Sequence, residues 1–338
     1  MVLLTGATGL LGRVILMDLL VKGHRVRALV RKNSPIEETL QSFTSYELDA
    51  SQYTHLLEWY EVDFYDIEQL QSALIGIEHV CHSAAMVSFD PSERKNLFKS
   101  NVEVTQNLLY ACEGLNLKKF LFVSSVATLD SINEEGYRDE NSDFIAKNEH
   151  SDYAMSKHLA EMEVQRASAE GLPVVIINPS VIIGSGNWMK SSGALFGGLL
   201  RLPYAPSGLA GFVDVRDVSN IAVVLLLSEV EGERYVVVAE NKSYHWMANQ
   251  LRSRIAKPPI KILPLWSRGP LHLLSVFLSW AAPSLRLLRK RNFDAVHSQV
   301  KLNNEKVVRD LKYKFIPVEQ SIEFHFTKYL EWKKNYNK

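Results

Sequence analysis

The sequence predicts an α/β protein, with a doubly wound parallel sheet followed by a smaller, loop-rich C-terminal region. Three observations lead to this prediction. Short apolar runs that indicate buried strands alternate with segments of helical periodicity over the first half of the chain. A glycine-rich turn joins the first of these strands to the first helix. From Gly184 onward the alternation gives way to clusters of glycine, serine and proline, which are typical of loops.

The first unit joins a strand, a glycine-rich turn, a helix and a second strand. Val2-Leu3-Leu4 is an apolar run, the helical stripe ends at Gly23, and Arg25–Val30 has strand character. Such a unit places a pyrophosphate at the N-terminus of its helix, because glycines let the backbone approach the phosphates. The spacing Gly-x-x-Gly-x-x-Gly departs from the commoner Gly-x-Gly-x-x-Gly. We therefore predict a Rossmann-type dinucleotide site at the turn residues Thr5, Gly6, Thr8, Gly9, Leu10, Leu11 and Gly12.

The alternation of elements continues along the chain. Strands are predicted near Leu56–Val62, Glu78–His82, Lys119–Val123 and Val174–Ile177, and helices near Ile67–Leu74, Lys95–Gly114, Ser151–Glu170 and Val215–Ser228. The polar stretch 32–55 is too long for a structureless loop, so we expect a short helix within it. We divide the chain into a nucleotide-binding domain (residues 1–183 plus 212–240) and a substrate-binding region (residues 184–211 plus 241–338).

Tyr153 and Lys157 are the strongest candidates for catalytic residues. They stand four positions apart in a predicted helix, so the phenol and the ammonium share one face. A cation beside a phenol favours the phenolate and lowers its pKa. We therefore expect Lys157 to lower the pKa of Tyr153, which would make the phenol a usable proton donor and acceptor near neutral pH.

These motifs, with the serine pair Ser124-Ser125 at the end of a predicted strand, resemble the extended short-chain dehydrogenase/reductase superfamily, which includes the NAD-dependent epimerases and dehydratases. The resemblance extends over residues 1–240 in the superfamily's own order. It implies that Ser125, Tyr153 and Lys157 are the catalytic set. Tyr153 would donate a proton to the substrate oxygen and Ser125 a hydrogen bond to the same oxygen, while Lys157 would also hold the nicotinamide ribose.

The same resemblance implies cofactor contacts outside the glycine turn. It matches Asp63 and Phe64 to the adenine-contacting segment, and the segment 212–218 to the chain's return to the sheet. Two interpretations of Asn101 stay open: contact with a backbone group and an ordered water in the proton path, or the N-cap of the following helix. The other expected contacts are Ser83, Ala84, Ala85, Val123, Ser124, Tyr153, Lys157, Asn178, Pro179 and Ser180.

The choice of cofactor can be argued from charge at the end of the second strand. NAD(H) favours an acidic residue there, which accepts a hydrogen bond from the ribose hydroxyl. Here Val30 is followed by Arg31 and Lys32, and no acidic residue is adjacent. A guanidinium suits a phosphate by its bidentate geometry. We therefore expect NADP(H) rather than NAD(H), with Arg31 as the main contact of the 2′-phosphate and Lys32 assisting.

The substrate class is inferred from departures within the superfamily. Asn178 and Ile183 replace an arginine and a tyrosine that are usual in the sugar-nucleotide branch, and Val126-Ala127 replace the dehydratase acid pair. This pattern resembles dihydroflavonol-reductase-like and 3β-hydroxysteroid-dehydrogenase-like members, which act on apolar or aromatic ketones or alcohols. We expect Trp188, Met189, Leu195 and Phe196, and the apolar segment 271–288, to surround such a substrate.

Two alternatives stay open. A nucleotide-sugar epimerase or reductase could bind its diphosphate with Arg201, Arg216, Arg252 or Arg254. Alternatively, the protein could be a non-catalytic NADP-sensing regulator, but such proteins lose the tyrosine, and this chain keeps it.

Composition excludes several other classes. The 338 residues carry 38 basic and 38 acidic side chains, so no basic surface for nucleic acid is predicted. Two cysteines do not make a disulfide framework, and the histidines lack metal-ligand spacing, so we expect no metal. A strand from Val2 leaves no room for a signal peptide, and we expect a cytoplasmic homodimer acting on a small molecule. The segment 271–288, followed by basic residues, is expected to cover the substrate pocket rather than to contact a membrane surface.

Overall fold

The computed structural model describes residues 1–186, 188, 194–201, 203–267, 269 and 297–336. In this part of the chain, one sheet contains seven strands: β1 (Val2–Thr5), β2 (Val26–Val30), β3 (Leu57–Glu61), β4 (His79–His82), β5 (Lys119–Val123), β7 (Val174–Pro179) and β11 (Glu233–Val237). Their order is β11-β7-β5-β4-β1-β2-β3, and every neighbouring pair is parallel.

The other described elements are helices and short strands. The strands are β6 (Tyr137–Arg138), β8 (Val181–Ile183), β9 (Tyr204–Ala205), β10 (Leu209–Asp214), β12 (Glu240–Ser243), β13 (Lys261–Ile262) and β14 (Lys301–Leu302). The helices are α1 (Leu10–Val21), α2 (Ile36–Gln41), α3 (Ile67–Ala73), α4 (Arg94–Phe98), α5 (Val104–Cys112), α6 (Asp152–Ala169), α7 (Leu195–Arg201), α8 (Val215–Leu226), α9 (Tyr244–Ser253), α10 (Glu305–Leu311) and α11 (Val318–Tyr336).

Helices cover both faces of the seven-stranded sheet. On one face α1 and α8 pack together over a core that includes Ile15 and Leu225, and on the other α3, α5 and α6 bury Leu108 and Val164. Both faces are therefore apolar, which explains why the strands are continuous apolar runs rather than alternating ones. The predicted doubly wound α/β fold is confirmed.

Most of the predicted elements lie within two residues of their observed bounds. The expected helix in the stretch 32–55 is α2, and it is followed by two short 3₁₀ turns, Ser42–Tyr46 and Ala50–Leu56. Phe43 of this stretch is fully buried in the core of the sheet. The single predicted helix Lys95–Gly114 is instead two helices, because a π-helical turn, Lys99–Glu103, separates α4 from α5.

The expectation that the segment 212–218 returns to the main sheet is wrong. Its strand, β10, lies in a separate three-stranded sheet between β12 and β8, and β11 is the strand that returns. The last hydrogen bond of the β7 edge runs from the Ser180 N–H to the Val237 carbonyl. Directly after Ser180 the chain continues as β8. Because β10 pairs with β8, it belongs to the smaller sheet and not to the main sheet.

The C-terminal part of the description has its own apolar cluster. Phe196, Phe212, Met247 and Phe326 are buried together, so α7, β10, α9 and α11 share one core. Phe196 is buried in this core and Leu195 packs against it, and the expectation that they surround a substrate stays a prediction. Met189 and the segment 271–288 lie outside the described residues. Within the described ranges, no helix combines the length and the apolar character that crossing a membrane requires.

Candidate active site

A cavity of about 1050 Å³ opens at the carboxyl ends of β1 to β4. Strand order reverses between β1 and β4, and parallel sheets bind their ligands at such a switch point. Nine of the predicted cofactor residues line the cavity: Gly6, Thr8, Gly9, Arg31, Asp63, Phe64, Ser83, Ala84 and Ala85.

The glycine turn is so tightly packed that side chains do not fit. Gly6 has a φ of +75°, and a Cβ atom there would lie 2.7 Å from the Ala84 nitrogen. A Cβ atom on Gly12 would lie 2.0 Å from the carbonyl oxygen of Gly6. Helix α1 begins directly after Gly9 without a side-chain cap, so the first amide groups of α1 have no side chain to bind. A cramped turn at an uncapped helix N-terminus in a large cavity fits the pyrophosphate of a dinucleotide.

A chain of hydrogen bonds anchors β1 to β4 beneath the turn. The Ala84 N–H donates to Thr5 Oγ1, and Thr5 Oγ1 lies 2.7 Å from His82 Nδ1. On the other side of the ring, His82 Nε2 lies 2.9 Å from Thr105 Oγ1, whose hydroxyl donates to the Asn101 carbonyl. His82 Nε2 must therefore donate and Nδ1 must accept, as in a neutral imidazole. Burial, assisted by the charge of Lys157, lowers the pKa of His82 to about 3, so the ring stays neutral.

Arg13 is a residue of this site that sequence reasoning missed. Its side chain is 1% exposed, and it donates to the carbonyl oxygens of Gly9 (3.1 Å) and Thr8 (2.9 Å), which fixes the turn. It also lies 3.7 Å from Glu38 of α2 and forms part of the cavity wall. Burial lowers the pKa of Arg13, and Glu38 opposes this. The sequence signal that could have identified Arg13 is the presence of an arginine within the apolar sequence of α1.

At the far end of the cavity, Arg31 is exposed and has no ion-pair partner among the described residues. The backbone N–H of Arg31 donates to Ser34 Oγ, and Ser34 is part of the same wall. Lys32, also exposed, is not part of the wall. Tyr65 follows Phe64 in the wall, and the Lys99 ammonium lies 4.0 Å from the centre of its ring.

Asn101 lies inside the π-helical turn, so it does not cap a helix and that interpretation is wrong. Its side chain is buried and forms two hydrogen bonds with the Met86 backbone, accepting from the N–H (2.7 Å) and donating to the carbonyl (2.9 Å). It also donates to Ser156 Oγ on α6. Asn101 thus attaches the cavity wall at Met86 to the helix that carries Tyr153, and π-helical turns are frequent at functional sites.

The phenol of Tyr153 lies near the Ser125 hydroxyl, and neither side chain is part of the cavity wall. Ser125 follows β5 in an extended conformation, and its hydroxyl also accepts from the Ala127 N–H. The ring of half-exposed Phe89 contacts Tyr153 edge-on, with centroids 5.8 Å apart. Burial raises the pKa of Tyr153, and the nearby Ser125 hydroxyl opposes the rise.

Lys157 is buried and points back towards the sheet. Its ammonium donates to the Val123 carbonyl at 2.7 Å and lies 4.2 Å from the centre of the Phe122 ring. Burial lowers the pKa of Lys157 to about 7, and the charge of Glu161 opposes this. The expectation that Lys157 lowers the pKa of Tyr153 is therefore not met: burial dominates both groups, and Ser125 is the group that counters it at the phenol.

Several predicted residues lie behind the cavity wall and not in it. Ser124 donates to Glu161 at 2.5 Å, and Asn178 is fully buried with its amide directed at the Ser125 carbonyl. Asn178 Oδ1 and Ser180 Oγ are buried and have no partner among the described atoms. The remaining predicted residues beside the wall are Thr5, Leu10, Leu11, Gly12, Val123 and Pro179.

The rest of the wall comes from residues that the sequence did not assign to the cofactor. Met86 and Val87 follow Ala85, and Trp188, Trp332 and Tyr336 reach the cavity from the C-terminal part. Among the described side chains, no group of His, Cys, Asp or Glu could hold a metal ion. Burial raises the pKa of Cys81 and of Cys112 to about 12, which leaves both thiols unreactive.

The arrangement suits hydride transfer with proton donation. A nicotinamide dinucleotide, when bound, supplies or accepts the hydride. The glycine turn, Arg13 and Arg31 would hold its phosphates. Ser125 and Tyr153 present two neighbouring hydroxyl groups, from which one substrate oxygen could accept hydrogen bonds.

Comparisons with known proteins agree with this geometry. The sequence profile of an NAD-binding family described as "Male sterility protein" matches residues 4–205. Sterol demethylase protein B of Methylococcus capsulatus is 29% identical over 270 residues, 76% of this chain and 77% of its own length. A Synechocystis protein described as a candidate dihydroflavonol 4-reductase is 31% identical over 274 residues, 78% of this chain and 75% of its own.

A solved structure gives the same fold. UDP-glucose 4-epimerase of Thermus thermophilus, in complex with NAD, superimposes with a TM-score of 0.72 at 21% identity and covers 97% of this chain and 98% of its own. The chain therefore belongs to the NAD-binding family described as male sterility protein, within the extended short-chain dehydrogenase/reductase superfamily, and is an NAD(P)-dependent oxidoreductase of that type.

Proposed function

We propose that this enzyme reduces a ketone on an apolar or aromatic small molecule, or oxidises the corresponding alcohol, with NADP(H) as its cofactor. The observation that carries the proposal is that the hydroxyl groups of Ser125 and Tyr153 lie near each other, beside the apolar ring of Phe89. Tyr153 donates the proton to the substrate oxygen, and Ser125 stabilises the charge that develops there.

The preference for NADP(H) is supported by Arg31. Its guanidinium is exposed, lines the cavity and is free of an acidic partner among the described residues, so it can meet a phosphate without breaking an ion pair. Asp63 and Glu38 also line the cavity, but Asp63 accepts from the Tyr65 N–H and Glu38 faces Arg13. Neither carboxylate directly follows β2, where an NAD-selective acid is expected.

The apolar substrate is supported by the surroundings of Tyr153 and by the fate of the arginines. A buried diphosphate needs paired cations. Arg216 binds Asp214 through two hydrogen bonds (2.9 and 2.7 Å), and Arg252 donates to the Pro258 carbonyl. Arg201 and Arg254 do not line the cavity. The names of the two relatives, sterol demethylase protein B and dihydroflavonol 4-reductase, also indicate largely apolar or aromatic substrates.

A substrate panel tests the proposal. Consumption of NADPH and of NADH is measured with steroid ketones, dihydroflavonols, UDP- and dTDP-sugars and an aromatic acyl-CoA thioester. We expect turnover of at least one apolar ketone, faster with NADPH than with NADH. Epimerisation or oxidation of a nucleotide sugar, with silence towards every ketone, would contradict the proposal. If only the thioester is reduced, the proposed substrate class changes from ketones to acyl thioesters.

A further inference from the structure

A buried carboxylate stands behind the proposed catalytic residues. Glu161 of α6 is 2% exposed. One of its oxygens accepts from Ser124 (2.5 Å) and from Asn178 (3.1 Å), and the other accepts from Arg234 of β11 (3.0 Å). A carboxylate is buried at such a cost that it is retained only with partners of this kind. Three segments of the fold, which belong to or directly follow β5, β7 and β11, therefore converge on this side chain of α6.

Two partners of Glu161 also hold the turn that carries Ser125. The Asn178 amide lies 3.1 Å from the Ser125 carbonyl and 3.1 Å from Glu161. The Thr128 hydroxyl lies 2.9 Å from the Ser125 carbonyl and 3.2 Å from Glu161. Glu161 thus orients Asn178 and Thr128, and these two residues fix the position of Ser125. Glu161 acts on Ser125 only through them.

Glu161 also acts on Lys157. The two residues are four apart on α6 and share a face of the helix, as Tyr153 and Lys157 do. Lys157 is buried and its hydrogen-bond partner, the Val123 carbonyl, carries no net charge, so the carboxylate is the acidic charge that counters the burial of the ammonium.

We propose that Glu161 is a positioning residue of the active site, which fixes the turn that carries Ser125 and supplies the counter-charge of the Lys157 ammonium. The proposal rests on the proposed roles of Ser125 and Lys157, but not on the identity of the substrate. Sequence reasoning could have found it, because Tyr153, Lys157 and Glu161 recur at intervals of four on one helix.

Other charged or titratable groups lie near Lys157 and Glu161, and an experiment that varies the pH must take them into account. On the Lys157 side they are His82 of β4, which is neutral, and Tyr153. On the Glu161 side they are Arg234, which neutralises part of its charge, and His158 of α6, whose pKa burial lowers and Glu161 raises. Arg234 is the cation among them, so removing it and removing Glu161 shift the protonation of Lys157 in opposite directions.

The experiment measures cofactor affinity by isothermal titration calorimetry, and needs no substrate. NADPH is titrated into the full chain from about pH 6 to about pH 10. An anionic dinucleotide binds more tightly while Lys157 carries its charge, so affinity should fall as that charge is lost. We expect Glu161→Gln to move the midpoint of this fall roughly one pH unit or more downward. Arg234→Met should move it upward.

Matched variants separate charge from structure. Glu161→Asp should return the midpoint towards the parent value, and Thr128→Val, which removes one contact of Glu161 without changing a charge, should leave it in place. If both Glu161→Gln and Arg234→Met weaken binding without moving the midpoint, the counter-charge role is overturned. A parent affinity that does not depend on pH would also overturn it.

Folding is checked by thermal melting. Should Glu161→Gln fail to fold, the upward shift in Arg234→Met alone decides: its presence supports the proposal and its absence overturns it. Once a substrate is known, Glu161→Gln should lower kcat more than it raises KM, since Ser125 acts on the reacting oxygen. Shifts of the predicted sign in a protein that reduces no ketone would support this role and contradict the proposed function.

Discussion

The expected adenosine end of the cavity, at Arg31, and the catalytic residues beside the cavity are built in different ways. Arg31 is exposed and without an ion-pair partner among the described residues. Lys157 and Glu161, which do not line the cavity, are buried, and their polar groups have fixed partners. The side chain at position 31 can be exchanged at little structural cost. Those of Lys157 and Glu161 cannot, because each polar group left without its partner is penalised by burial. We therefore expect that the preference between NADP(H) and NAD(H) can change without a change in the catalysed reaction.

The strongest way to break this comparison is to remove the proton donor. Tyr153→Phe deletes the proposed proton-donating hydroxyl and should lower kcat by about 10²–10⁴, the usual contribution of a general acid. Affinity for NADPH should stay within a few-fold, because the adenosine end is untouched. Steady-state kinetics and calorimetry measure the two quantities. Tyr110→Phe, an exposed tyrosine on α5, is the matched control and should behave as the parent. Turnover near the parent rate in Tyr153→Phe would remove this tyrosine from the chemistry.

The next effect should appear at the expected adenosine end of the cavity. Arg31→Glu replaces the cation near the expected 2′-phosphate by an acid and should weaken NADPH roughly ten- to a hundred-fold, with NADH gaining. Calorimetric titration with both cofactors measures the ratio. Lys32→Glu makes the same change of charge one residue away, outside the cavity wall, and should have a smaller effect. If the parent already binds NADH more tightly than NADPH, the assignment of Arg31 fails.

The smallest expected effect concerns His82, which joins Thr5 to Thr105 and stays neutral in the folded protein. Its folded pKa of about 3 is below the unfolded value of roughly 6.5. Between these values the unfolded chain binds a proton that the folded chain does not, so stability is greatest above about pH 6.5 and falls as pH drops. The loss between about pH 7 and about pH 5 should reach about 2 kcal/mol.

Urea unfolding at the two pH values tests this for His82→Asn. The variant should be less stable than the parent at neutral pH, yet lose less stability on acidification. His55→Asn, at an exposed position, should keep the parent's slope. An unchanged pH dependence in His82→Asn would assign the acid sensitivity to other groups, such as the buried His325.

The parts of the fold that follow local rules were predictable. Strands such as Lys119–Val123 and helix α6 follow from apolar runs and helical periodicity, and the sharp turn of Gly6 follows from glycine spacing. The π-helical turn at Lys99–Glu103 was not predictable, because its extra residue is stabilised by the contacts of Asn101 with Met86 and Ser156 on other elements.

The site was predictable to a similar extent. Residues that act through backbone shape or through one helix face, such as Gly9 and Tyr153, could be identified from their spacing. Glu161 and Arg13 act through partners far along the chain, such as Arg234 for the former and the wall at Gly186 for the latter. Their roles depend on which segments meet in three dimensions. The pKa of Tyr153 also depends on burial, which a four-residue spacing does not report.

The aromatic wall of the cavity gives the protein a built-in optical reporter. Trp188 and Trp332 lie in the same cavity wall as the glycine turn, with ring centroids 6.3 Å apart. Reduced nicotinamide absorbs light at the wavelengths where tryptophan emits. Binding of the reduced cofactor should therefore quench the intrinsic fluorescence of these two residues, so that occupancy can be followed in real time on the unlabelled chain before any substrate is known.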